Sequence, residues 1–306
     1  MKCWRISKPL MLGLELTMTD ARFSRIVIIQ SLPSIESQTG RHLRDAIEPT
    51  AKALRHIPVE FVEAPTASDF WTALDRVHKT IENSMDYPIL HLECHGLSDK
   101  TGLSLADRTP VTWIELKAVL VRLNQATCCN LLVTLAACHG AMLMETLDVH
   151  DRSPCWGLLG PSGEVSPPDL KSSYSAFFLE LLRSANTEAA CFSLRDSPDC
   201  RAKYFLFTAE DMFRDVFRVY RATCSTKDQM TERADRFAQI FKKHGMPDDE
   251  VSSIRPVLYE EEYKVLERFY KRFFFVDRCP KNGLRFNRCI RGAYSMIRDE
   301  CGSINK

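Results

Sequence analysis

Two apolar runs, YPILHLECHG ending at Gly96 and LLVTLAACHG ending at Gly140, constrain the fold of this chain more than any other feature. Near-continuous runs of this length read as strands buried on both faces, which is the habit of parallel sheets, and parallel strands need helical crossovers between them. The surrounding pattern supplies those crossovers. Residues 24–32 (SRIVIIQSL) predict a strand closed by Pro33 and a polar loop through SQTG, and residues 41–55 predict a helix. Residues 59–63 (VEFVE) predict a second strand, and residues 68–82 carry Phe70, Leu74, Val77 and Ile81 at the spacing of one helical face. The run ending at His95 is the third strand, and residues 112–124 form a helix opened by a Thr112/Glu115 capping box. Residues 131–137 are the fourth strand and residues 155–160 (CWGLLG) the fifth, before a helix that opens near Asp169 behind Pro167 and Pro168. The expected fold class is α/β: a mostly parallel sheet with helices on both faces.

Composition narrows the function. A chain of 306 residues, 45% of them hydrophobic, is long enough for one large domain or a domain with a smaller partner. Its 41 basic residues stand against 40 acidic ones, so overall charge attracts neither nucleic acid nor a membrane surface. The 12 cysteines lie scattered without paired spacing, which in a chain this long predicts reduced thiols and a cytoplasmic location. Residues 1–18 hold a short apolar patch, but Glu15 interrupts it and no small-residue cleavage site follows, so no signal peptide is expected. Nor does any later stretch approach the length of a membrane span. Past residue 200 strand-like runs give way to helical periodicity: from Thr208 onward Met212, Phe213, Val216, Phe217 and Tyr220 share a stripe, with Thr208 and Asp211 able to cap its start. Further helices are predicted over residues 231–244 and 260–276. The breaks at 197–201 and 245–249 are too short for flexible linkers, so the division expected is a sheet domain over 1–200 and a helical extension over 201–306 packed on it.

Each of the two opening runs stops at a reactive side chain, His95 in one and Cys138 in the other. In open α/β sheets the ligand crevice lies outside the carboxyl ends of the strands, which puts an imidazole and a thiol on one rim. Nucleophilic cysteine chemistry needs that pairing, because the thiolate attacks and an imidazole can take its proton. The elements HLECHG, GLSLADRTPVTW, LLVTLAACHG and CWGLLG leading into DLKSSYSAFFLELL occur in that order over residues 24–194, and with them the chain resembles the caspase-like cysteine peptidases of the CHAT family, relatives of separase and, more distantly, of metacaspases. The resemblance implies a short hairpin between His95 and the next helix, His95 as general base and then acid, Cys138 as nucleophile, and the backbone amides of Gly96 and Cys138 as an oxyanion hole. The chain departs from the commonest family pattern in placing His139 directly after Cys138.

A cysteine taken alone is usually a small buried hydrophobe, the reading that Cys94, Cys128 and Cys129 receive. A zinc site built from Cys94, His95, Cys138 and His139 fails because neighbours on a strand point to opposite faces. A serine hydrolase fails because GPSGE around Ser162 lacks the spacing of a nucleophile elbow. The loop after the fifth strand, GPSGEVSPPD, is where caspase-like folds line the pocket for the residue before the cut. Its Glu164 and Asp169 would favour a basic residue there, although an aspartate at a helix start is as well explained as a cap. Asp99 and Asp107, flanking the segment after His95, are placed to orient the imidazole or contact substrate, but read rather as solvated turn residues. In residues 264–291, nine basic residues interleave with Phe269, Tyr270, Phe273, Phe274 and Phe275; this reads as an amphipathic helix with its aromatics inward, rather than as a nucleic-acid surface. The function expected is a cysteine endopeptidase needing no cofactor or metal and cleaving a protein substrate after a basic residue. Family analogy adds a bacterial defence or regulated cell-death setting, a gasdermin-like pore-forming substrate and an activating partner. The alternative is a catalytically inactive caspase-like scaffold that binds a partner through the same cleft.

Overall fold

The computed structural model describes residues 22–84, 86–224 and 254–302, with scattered positions between 226 and 243. The opening segment 1–18 and the break at 245–249 lie outside the described residues; of the helix expected at 231–244 only scattered positions are described, and those are helical. The chain divides into two compact units, Met1–Thr146 with Pro154–Phe207, and Leu147–Ser153 with Thr208–Lys306.

In the first unit the alternation is continuous: β1 (Arg25–Ser31), α1 (Thr39–Arg55), β2 (Val59–Glu63), α2 (Ala67–Ser84) and β3 (Pro88–Gly96) follow one another. A hairpin of β4 (Gly102–Ser104) and β5 (Pro110–Thr112) leads into α3 (Trp113–Ala126) and β6 (Leu132–Ala136). After a 3-10 helix at Gly140–Thr146 come β7 (Gly157–Pro161), α4 (Pro167–Ser184), α5 (Thr187–Arg195) and β8 (Tyr204–Thr208). The main sheet runs β2-β1-β3-β6-β7-β8, and β1, β2, β3, β6 and β7 pair in parallel. The antiparallel β4/β5 hairpin joins at the end of β3, making the sheet mixed. Central strands β1, β6 and β7 are buried at every position, as their unbroken apolar runs require, whereas the edge strand β2 is half-exposed. The steps β1 to β2 and β2 to β3 run in opposite directions across the sheet, so right-handed crossovers set α1 and α2 on opposite faces. The neighbours agree: α1 packs on α4, and α2 on α3.

Local chemistry closes these elements where the residues dictate. Thr112 caps α3 with the full reciprocal box to Glu115. Ser166 caps α4, and Pro167 and Pro168 occupy its first turn. Phe70, Leu74, Val77 and Ile81 of α2 are buried, each stabilising the fold by roughly 1.5–3 kcal/mol. One strand goes beyond those the sequence pattern predicts. β8 follows the boundary expected at residue 200, and its half-buried YFLFT gives a weak pattern.

The second unit is helical, with α6 (Ala209–Cys224), α7 (Ile254–Phe273), the single turn α8 (Asn282–Arg285) and α9 (Asn287–Gly302). Thr208 and Asp211 exchange the expected capping bonds at the start of α6. Phe213 stacks on Phe269 with ring centroids 4.7 Å apart and touches Tyr270, Phe273 and Phe274. The aromatics of the basic stretch are therefore packed inward. Arg221 and Glu262 form a buried ion pair at 2.8 Å. Cys279 of this unit is disulfide-bonded, and so is Cys128 of the first, a correction to the expectation of thiols throughout. No helix among the described residues is long and apolar enough to cross a membrane.

Candidate active site

The site forms at the carboxyl ends of four adjacent strands. His91, Glu93 and His95 alternate onto one face of β3, and the parallel register pairs His91 with Thr134 and Glu93 with Ala136 on β6. Carried two residues onward, that register sets His95 opposite Cys138. The chain does close there, because a Cβ on Gly96 would stand only 2.1 Å from the Cys138 carbonyl oxygen and 3.0 Å from its Cβ. Only glycine fits so close an approach. The His95 imidazole is half-exposed, and Cys138 is partly exposed. Adjacent donors diverge as strand geometry demands: Cys94 is buried beside exposed His95.

Cys138 differs from other cysteines of the sheet unit in environment. Burial is the largest cause pushing the Cys94 and Cys155 thiols up, and it raises Cys191 to about 11, which leaves these groups protonated and poor nucleophiles. The Cys138 sulfur instead faces the loop after β7. The Val165 amide donates to it at 3.4 Å, and the thiol lies 3.8 Å from the Val165 carbonyl oxygen. The Cys138 amide itself donates to no group among the described residues. No hydrogen bond joins the His95 ring to the Cys138 sulfur among the described residues. His139, the departure from the family pattern, adopts a left-handed φ of 61°, is buried, and is held by its amide on the Gly163 carbonyl at 2.9 Å and by its ring on the Ser162 carbonyl at 3.3 Å. It ties the turn after Cys138 to the β7 loop.

The two acidic residues of that loop part company. Glu164 is exposed and adjoins Val165, the residue that touches the sulfur. Asp169 is 2% exposed, and Ser173, Tyr204 and the amides of Arg201 and Ala202 all donate to its carboxylate. Ser166, not Asp169, provides the cap. Asp169 is thus committed to holding the 200–204 segment, which leaves Glu164 as the loop carboxylate facing solvent. The hairpin acids are turn residues: Asp99 accepts from Thr101, and Asp107 from the amides of Thr109 and Ala67, bonds that hold both carboxyls below the usual range.

Glu36, in the loop after β1, is the site residue that sequence reasoning passed over. Its carboxylate lies 2.6 Å from Nε2 of His95. No local signal marks Glu36; the strand order brings it in, because β1 neighbours β3 and its carboxyl end opens on the same rim. A further polar cluster lies beneath: buried His91 sits 2.7 Å from both Thr134 and Glu93, and Thr39 donates to Glu93.

No protein-family model and no curated protein matches the chain. What the fold and site define by themselves is an α/β protein with a mostly parallel sheet that carries a partly exposed thiol, an imidazole and a carboxylate on one rim.

Proposed function

We propose that the chain is a cysteine endopeptidase in which Cys138 attacks and His95 manages the proton. The observation that carries this reading is the packing of Gly96 against Cys138, which brings the residue after the histidine into contact with the nucleophile. The thiol proton passes to His95, and the sulfur adds to the scissile carbonyl. The amides of Gly96 and Cys138 receive the oxyanion, and His95 protonates the departing amine as the acyl-enzyme forms. Water then gives its proton to His95, attacks the thioester and restores the thiol. Exposed Glu164, one residue from the sulfur's neighbour Val165, supports a preference for a basic residue before the cut. The family resemblance adds a cytoplasmic defence or regulated-death setting with a dedicated protein substrate of the pore-forming gasdermin-like kind and an activating partner.

The second reading, an inactive caspase-like scaffold, draws on the resting bonds of Cys138 to Val165 rather than to His95. Such catalytic contacts often tighten only when substrate is bound. One experiment separates the two: the full chain with a peptide library varied before the cut, run as wild type, Cys138→Ala and Glu164→Ala. The peptidase reading expects turnover by wild type, complete loss in Cys138→Ala with retained substrate binding, and a basic preference reduced about fivefold in Glu164→Ala. Absence of turnover by wild type, with binding indifferent to Cys138→Ala, is the scaffold's result.

A further inference from the structure

We infer that Glu36 is a positioning residue for His95, selecting the ring nitrogen that serves as base; this deepens, and rests on, the peptidase reading. An ionised carboxylate only accepts hydrogen bonds, so the 2.6 Å contact with Glu36 requires Nε2 of His95 to carry a proton. The neutral ring then has its lone pair on Nδ1. Nδ1 is the nitrogen nearer the main chain, and the main chain at this point, Gly96, abuts Cys138. Proton transfer from the thiol to Nδ1 leaves an imidazolium whose far side already faces a carboxylate.

The loop is built to hold that carboxylate. The Glu36 amide donates to the Pro33 carbonyl at 3.0 Å, closing a turn. The Gln38 side-chain amide bridges the carbonyls of Pro33 and Glu36 at 2.9 and 3.0 Å. Its oxygen accepts from Gln30 at 2.5 Å, and Gln30 is a buried residue of β1 whose own oxygen also holds the amides of Gly40 and Arg41. A line of hydrogen bonds therefore runs from the central sheet to the backbone of Glu36. Both partners of the pair are about half-exposed, with side-chain exposures of 50% for His95 and 41% for Glu36, so screening weakens the charge attraction and the contact acts mainly by orienting the ring.

The test uses the full chain as wild type, Glu36→Ala and Glu36→Gln. Nitrogen-15 spectra of the His95 ring report which nitrogen bears the proton, and iodoacetamide alkylation mapped by mass spectrometry reports the reactivity of Cys138, with partly exposed Cys200 as internal control. Expected are an Nε2-protonated ring in wild type, a mixed tautomer in Glu36→Ala, and alkylation of Cys138 slowed about fivefold with Cys200 unmoved. Where a peptide is cleaved, kcat falls by the same factor with KM unchanged. Glu36→Gln, whose amide oxygen accepts the same bond, should stay within about twofold of wild type. An unchanged tautomer or an unchanged Cys138 alkylation rate in Glu36→Ala overturns the inference. A wild type that shows the expected tautomer and alkylation but cleaves nothing supports the assignment of Glu36 and overturns the peptidase reading instead.

Discussion

Gly96 is the tightest point of the site, and a single methyl group there tests the arrangement. Its added Cβ would overlap the Cys138 carbonyl oxygen at 2.1 Å, so Gly96→Ala must push β3 away from the turn that carries Cys138. Overpacking of this kind costs about 1–3 kcal/mol. The expected outcome is a lowered unfolding midpoint, together with loss of Cys138 turnover larger than the stability change accounts for. A variant with full activity would show that the contact between these strand ends is unimportant. Residue identity made His95 and Cys138 legible, because an imidazole and a thiol each ending an apolar run before a small-residue turn are chemically uncommon. Glu36 carried no such mark: in a loop rich in polar residues, nothing local says which carboxylate turns toward an imidazole 59 residues away.

Elements behave according to how local their causes are. The start of α3 was readable to the residue, since the capping box is a contact between positions three apart. The role of Asp169 was not, because three of its four donors, Arg201, Ala202 and Tyr204, arrive from a segment whose pairing partner β7 lies some forty residues earlier in the chain. Burial, followed by the hydrogen bond to Asp169, pushes the Tyr204 hydroxyl well above its ordinary value, as a phenol held as a donor to a carboxylate should be. Asp169→Asn turns one acceptor oxygen into a donor facing groups that themselves donate. It should destabilise the fold by about 1–3 kcal/mol in denaturant titration, while Cys138 alkylation proceeds at the wild-type rate. A stable Asp169→Asn protein with altered preference for the residue before the cut would instead return Asp169 to the specificity pocket.

At the scale of the whole chain, the division into two units gathers residues no sequence window contains. Leu147–Ser153 groups with the helices after residue 207, where Arg152 holds Asp277 through paired bonds at 2.8 and 2.5 Å. That hydrogen bonding keeps the Asp277 carboxyl below its ordinary range. A carboxyl depressed in the folded state contributes stability above its unfolded value, near 3.9, and loses it as pH falls through the folded value. The pair is partly solvent-exposed, so Asp277→Asn should cost about 0.2–1 kcal/mol at pH 7, shrinking toward zero near pH 2; a cost independent of pH would exclude the ion pair as its source. By itself the amino-acid order determined the alternation of strands and helices, the caps, and the two reactive side chains at strand ends, because hydrophobic period and capping are set by residues within a few positions of one another. Only the tertiary structure decided that a carboxylate from the loop after β1 meets His95, that Asp169 is consumed by the fold while Glu164 stays open, and that β8 completes the sheet. Those outcomes depend on which strands become neighbours, and neighbour choice is made by burial summed over the whole sheet.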